Sequence, residues 1–333
     1  MKSRLLVVAL CACMVAMVAQ AQAPTPATPV RVITFPGGAN LPLWVAETNG
    51  YFAREGLAVK VSPTPNSVVL AQSLMKGDQD IALSSFDNIV GYQEGQGEVS
   101  LDAPPDFFAF MALSHGTVRL VANADIASIA DLKGKTLAVD TVATGYAMVL
   151  IKLLSQAGLK DGDYRLEAIG GTGVRARALM EGKTPATILT TPLELAPEAR
   201  GFRRLANVID VIGPYQTIVG MARRSWATAN RTALVGFTRA TVNAIDWLLD
   251  PANRAEAAAI YRKNLPDVSE AAALGAVAAL TGAREGLQRG GAFDHPGIAT
   301  VLAIRSEFGK PQKLLTDSSR YVDETYLRAA TAR

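Results

Sequence analysis

Chemistry has few places to reside in this chain. Its 333 residues hold two histidines, His115 and His295. None of the G-x-S-x-G, H-E-x-x-H or G-x-G-x-x-G patterns occurs. Gly134-Lys135-Thr136 and Gly182-Lys183-Thr184 resemble the tail of a phosphate loop, but both lack its upstream glycine. His115 reads as a hinge residue hydrogen-bonded to backbone, and His295, before Pro296, as a helix-start residue. What remains suits reversible binding. Asn66-Ser67, Ser84-Ser85 and Thr144-Gly145 each open a helix, and a helix start offers unpaired N–H groups and partial positive charge to anions and polar oxygens. Gly37-Gly38 would let backbone come close to a bound molecule. For Ser67, Thr144 and Asp87 the competing role is N-capping, worth about 1 kcal/mol each.

Arg175 is the sharpest single residue. It sits in the first turn of a helix directly after Gly170-Gly171-Thr172-Gly173, where a cation opposes the helix dipole by roughly 0.3–1 kcal/mol. An anionic ligand reverses that balance, because a guanidinium grips a carboxylate or sulfonate with two hydrogen bonds. The alternatives are a solvated Arg175 or one paired with Glu167 or Glu194. Asp87, if it points into the cleft, favours an amine or ring N–H instead. Trp44 falls on an apolar helical stripe and reads as core packing, and is also kept as a candidate contact. The full candidate set is Gly38, Asn40, Trp44, Ser67, Ser85, Asp87, Asn88, Thr144, Gly145, Tyr146, Thr172 and Arg175, with no catalytic or metal-binding residue.

These turns need a frame, and the pattern supplies one. A strand over residues 32–35 runs into Pro36-Gly37-Gly38 and an amphipathic helix. A second over 57–61 leads to the helix opening at Asn66-Ser67, and a third over 80–83 ends in Ser84-Ser85. The rhythm repeats with strands over 136–139, 166–169 and 186–189 and helices over 146–157 and 174–181. In a parallel α/β sheet such turns share one edge, where ligands bind. β segments over 107–113 and 117–122 flank Ser114-His115-Gly116 and mark a first crossing between domains. Gly213-Pro214-Tyr215 and the segment 216–222 mark the return. The rest reads as helical, including 232–249, alanine-rich helices to 283, 296–308 and 321–330, braced on the first domain. The expected organisation is domain 1 from residues 31–115 plus 215–333 and domain 2 from 116–214.

The N-terminus reads as an export signal. Lys2 and Arg4 precede an apolar run over 5–19, and Ala21-Gln22-Ala23 is an A-x-A cleavage site. That assigns 1–23 to a signal peptide and 24–30 to a disordered leader, and places the mature chain in the periplasm. Both cysteines, Cys11 and Cys13, lie in the signal, so disulfides and thiolate metal sites are excluded from the mature chain. Losing Lys2 and Arg4 takes the charge from 33 basic against 30 acidic residues to 31 against 30, or +1. With no basic run, nucleic acid is not an expected partner.

Three segments carry a family resemblance: Gly50-Tyr51-Phe52-Ala53-Arg54-Glu55-Gly56-Leu57, Leu74-Met75-Lys76-Gly77-Asp78-Gln79-Asp80-Ile81-Ala82 and Asp131-Leu132-Lys133-Gly134-Lys135. Over roughly residues 30–265 the chain resembles the periplasmic substrate-binding proteins of ABC importers, in the sulfonate, taurine, nitrate and pyrimidine-precursor group. It departs at Gly182-Lys183-Thr184-Pro185-Ala186, where that group often has Gly-x-Val-Asp-Ala. The resemblance implies an α/β, two-domain periplasmic binding protein type II fold with a hinge of two crossings. It implies a monomer that captures a small polar organic solute, with an organic anion such as a sulfonate or carboxylate expected from Arg175. Its partner would be an inner-membrane ABC permease with its ATPase, and no cofactor is implied. The rivals are a pyrimidine-precursor synthase using pyridoxal phosphate, a receptor for a membrane kinase, and a regulator's effector domain. The scarcity of histidine and the export signal argue against the first, and the signal against the last.

Overall fold

The computed structural model describes residues 26–332; the expected signal peptide and its cleavage site lie outside them. The chain begins with β1 (Thr28–Thr34), α1 (Leu41–Thr48), α2 (Tyr51–Arg54), β2 (Leu57–Pro63), α3 (Ser67–Lys76), β3 (Ile81–Ser85), α4 (Phe86–Gln93) and β4 (Phe107–Ala112). It continues through β5 (Ser114–His115), β6 (Val118–Ala122), β7 (Thr136–Val139), α5 (Gly145–Gln156), β8 (Arg165–Ala168), α6 (Thr172–Met180), β9 (Ala186–Thr190), α7 (Leu195–Glu198), β10 (Arg203–Asn207) and α8 (Val208–Ile212). β11 (Ile218–Arg223) is followed by α9 (Arg224–Ala229), α10 (Arg231–Leu248), α11 (Arg254–Asn264), α12 (Glu270–Leu280), β12 (Gly286–Leu287), α13 (His295–Phe308) and α14 (Thr325–Thr331).

Two five-stranded sheets result. The first has the order β2-β1-β3-β11-β4, and the second β10-β6-β9-β7-β8. In the first, β1 pairs in parallel with β2 and β3, while β11 runs antiparallel to β3 and β4. In the second, β7 is parallel to β8 and β9, and β6 is antiparallel to β9 and β10. The chain passes between sheets twice, from β4 to β6 and from β10 to β11. The passages are laced together, since Thr217 Oγ1 and Gln216 Nε2 both donate to the Ser114 carbonyl, at 2.7 and 2.9 Å. His115 lies here, its Nε2 at 3.0 Å from the Arg284 carbonyl, the backbone role its sequence context implies.

Local chemistry explains where elements start and stop. Asn66 caps α3 by accepting from the Val69 N–H at 2.9 Å, and Gly77 ends the helix in the left-handed region at φ 79°. The strand β1 starts earlier than expected: residues 28–30 of the supposed leader pair in register with β2, beginning Thr28 opposite Leu57. An unpaired edge on β2 would leave backbone groups without partners, and the ladder claims the extra residues. Around the first sheet, Phe237 of α10 stacks on Phe52 at 5.5 Å. Both rings are buried, each worth about 1.5–3 kcal/mol. The C-terminal helix α13 does more than brace one domain. It packs on α4 of the first-sheet half and on α5 of the second.

Candidate functional site

A cavity opens between the sheets, where strand ends and helix starts of both halves face each other. It leaves about 80 Å³ for the centre of a water-sized sphere, several times the roughly 10–15 Å³ that one water needs. The first sheet's half contributes Thr34, Asn40, Ser67, Ser85 and Asn88; the second contributes Asp140, Thr144, Tyr146, Thr172 and Arg175. Leu113, Leu193, Ile218, Leu280 and Leu287 give it an apolar wall. Two charged residues line it, Asp140 and Arg175.

Arg175 is 1% exposed and pairs with neither Glu167 nor Glu194. Glu167 is exposed, and Glu194 instead accepts from the Thr191 hydroxyl at 2.6 Å. The guanidinium is held by neutral acceptors: Nε donates to the Gly170 carbonyl at 3.1 Å, Nη1 to the Ile188 carbonyl at 2.6 Å and Thr187 Oγ1 at 3.4 Å, and Nη2 to Thr172 Oγ1 at 2.9 Å. Of its five N–H groups one, on Nη2, is left over. Burial lowers this group to about 10, so it stays cationic at neutral pH.

Asp140 directly follows β7 and reaches across to the start of α3. Its Oδ2 accepts from the Ser67 N–H at 3.1 Å and from the Ser67 hydroxyl. Its Oδ1 is buried without a partner. Burial pushes the carboxyl up, against the pull of the Ser67 hydroxyl and of Arg175. Unsatisfied buried groups are uncommon and call for an explanation. The Ser85 hydroxyl, also on the cavity, lies against the Tyr146 and Tyr215 hydroxyls.

Of the sequence candidates, Asn40, Ser67, Ser85, Asn88, Thr144, Gly145, Tyr146, Thr172 and Arg175 line this cavity. Neither Ser67 nor Thr144 caps a helix through its side chain: Thr144 Oγ1 donates to the Thr141 carbonyl at 2.9 Å, and Asn66 is the cap of α3. Asn40 lines the wall but spends its amide internally, accepting from Thr34 at 3.0 Å and donating to the Phe35 carbonyl at 2.8 Å.

Three candidates do not line it. Gly38 packs under Tyr261, whose hydroxyl would lie 2.1 Å from an added Cβ; of the Gly37-Gly38 pair it is Gly37 that lines the cavity. Trp44 meets the same Tyr261 edge-on at 5.9 Å, as core packing requires. Asp87 is consumed by Arg305 of α13: Nε donates to its Oδ1 at 2.6 Å and Nη2 to its Oδ2. Asp140 was the residue missed. Its place directly after a parallel strand, at the edge where ligands gather, was the available signal.

The family described as "NMT1/THI5 like" matches residues 39–255. YtlA of Bacillus subtilis (strain 168), whose assignment as a binding protein is provisional, is 30% identical over 218 residues. That covers 62% of this chain and 62% of YtlA, so the chain spans under two thirds of that relative. Among solved structures, the periplasmic nitrate-binding protein NrtA from Synechocystis PCC 6803 superposes with a TM-score of 0.75 at 13% identity, over 91% of this chain and 88% of its own. The alkanesulfonate-binding protein SsuA from Xanthomonas axonopodis pv. citri, bound to MOPS, gives 0.67 at 18% identity, over 89% and 96%. At these identities the structures speak for the fold, which is the periplasmic binding protein fold expected from the sequence.

Proposed function

The chain belongs to the NMT1/THI5-like family, and from that premise we propose that it is an extracytoplasmic solute-binding protein of an ABC importer. It takes a small polar organic solute into the cavity between its sheets and hands it to a membrane permease. The observation that carries this is the polar lining that both halves bring to that cavity, with Asp140 Oδ1 buried and left without a partner. A bound solute would satisfy it. The spare N–H of Arg175 would take an acidic or acceptor group of the solute, in line with the nitrate- and alkanesulfonate-binding proteins of the same fold. We place domain 1 at residues 28–115 plus 215–332 and domain 2 at 116–214, hinged at the two crossings. Binding requires no bond-making, so the protein is not an enzyme on this reading.

Native mass spectrometry of the freshly purified protein, followed by a thermal-shift screen, tests it. A solute at 100 times its dissociation constant adds about 2.7 kcal/mol of stability. The absence of both a co-purified small molecule and any shift across a broad solute panel would overturn the reading.

A further inference from the structure

We infer that Asp140 reads the solute directly, and that the solute therefore carries a hydrogen-bond donor, an amine or N–H group, alongside its acceptor group. The inference rests on the solute-binding function proposed above and narrows its ligand class. The start of α3 is one of the places where this fold could receive an external anion. Here the protein fills it from the other half with its own carboxylate, through the Ser67 N–H and hydroxyl on Asp140 Oδ2. Those bonds fix the carboxylate in place. They leave Oδ1 buried, with no protein donor in reach, on a residue 7% exposed that lines the cavity. A buried acceptor held in place without a protein donor complements an N–H.

The charge on the cavity points the same way. Its lining holds one carboxylate and one guanidinium, and Arg175 has four of its five N–H groups spent on Gly170, Thr172, Thr187 and Ile188. A simple anion would gain one remaining N–H and face the Asp140 carboxylate. A neutral or zwitterionic solute, with an acceptor for Arg175 and a donor for Asp140, meets both.

The test is a thermal-shift and calorimetric panel of matched pairs that differ by an amino group: propionate with β-alanine, benzoate with 4-aminobenzoate, ethanesulfonate with 2-aminoethanesulfonate, together with nitrate and a general set of metabolites sorted by N–H content. The expected result is that the solutes that bind carry an N–H donor and beat their donor-free partners. Asp140→Asn should weaken them about tenfold to a hundredfold, as expected for losing one charge-assisted hydrogen bond. Ser67→Ala keeps the carboxylate and only unpins it, so its loss should be smaller. Should Asp140→Asn fail to fold, the ranking of pairs on the wild-type protein and the Ser67→Ala titration decide. Tight binding of nitrate or of the donor-free acids, undiminished by Asp140→Asn, overturns the inference and leaves solute binding standing. A panel in which nothing binds overturns both.

Discussion

Two aspartate–arginine couples lie within a few residues of each other in this molecule, and they have opposite fates. Asp87 and Arg305 are each 1% exposed and paired side-on, and Arg305 also donates to the Gln96 carbonyl at 3.1 Å and the Ala143 carbonyl at 2.8 Å. Asp140 and Arg175 are buried to a similar degree, yet they make no salt bridge with each other. Both line the cavity. The first couple is a closed ion pair and serves as a clasp, because Ala143 belongs to the second-sheet half and Asp87 to the first. The second is held apart by its neutral neighbours. A buried charge paired with its opposite contributes shape; one without a charged partner is where a solute can contribute binding energy.

The largest effect should come from breaking the buried ion pair. Arg305→Leu strands Asp87 in the interior, and losing one partner of a buried pair costs about 3–5 kcal/mol. Urea denaturation of the ligand-free protein measures it. Replacing both, as Asp87→Leu with Arg305→Leu, should recover much of that loss, since two apolar residues need no partners. If Arg305→Leu costs under about 1 kcal/mol, a value typical of exposed pairs, the clasp is no clasp and the contrast fails.

Next comes Gly145, the first residue of α5. A Cβ there would sit 2.2 Å from Asp87 Cγ, so the second-sheet half touches the clasp by backbone alone. Gly145→Ala must push apart a pair that cannot yield, with an expected cost of about 1–3 kcal/mol. It should also enlarge the radius of gyration in solution scattering. Unchanged stability and radius would show that the halves do not meet here.

The sequence made Arg175 legible and concealed both Asp140 and the Asp87–Arg305 pair, for a physical reason. Strand ends and helix starts are local patterns, so nine cavity-lining residues, Ser67 and Arg175 among them, could be located from spacing. So could the two crossings and both sheets' strand–helix alternation. Arg305, in contrast, comes from 218 residues away. Nothing local to Asp87 announces the helix that will cover it, and a lone acidic residue in a first turn then looks like a ligand contact. Asp140 sits among turn residues that look like ordinary connection; its importance depends on Ser67 across the cavity, 73 residues earlier. Gly38 and Trp44 were drawn to the site by proximity in sequence and belong to Tyr261 instead.

Asp140→Asn sharpens the contrast from the other side, in the absence of any solute. Burial raises the Asp140 carboxyl above its ordinary value. A carboxyl raised in the folded state binds its proton more tightly there than in the unfolded chain. Its contribution to stability is then complete below the ordinary aspartate value and declines as pH rises through the raised one. The wild-type protein should therefore lose stability over that interval relative to Asp140→Asn, and the variant should melt higher at neutral pH. Thermal midpoints of both proteins across the acidic to neutral range check this. Parallel curves would mean that Asp140 is as well solvated as an exposed carboxylate, and its claim on a solute would lapse.

The smallest effect belongs to a further contact between the two halves. Lys152 of α5 meets Glu307 of α13 at 2.8 Å, with the glutamate side chain 47% exposed. It joins the same two halves as Arg305, and lies only two residues from Arg305 along α13. If joining the halves were what mattered, the two should cost alike. If pairing in a dry interior is what matters, Lys152→Ala should cost about 0–1 kcal/mol, since water and salt screen exposed pairs. That cost should shrink further at high ionic strength, whereas the Arg305→Leu cost should barely move. Denaturation of both variants at low and high salt separates the two accounts. A Lys152→Ala cost that rivals Arg305→Leu, or an Arg305→Leu cost that melts away in salt, would shift the explanation from burial to the mere bridging of α5 and α13.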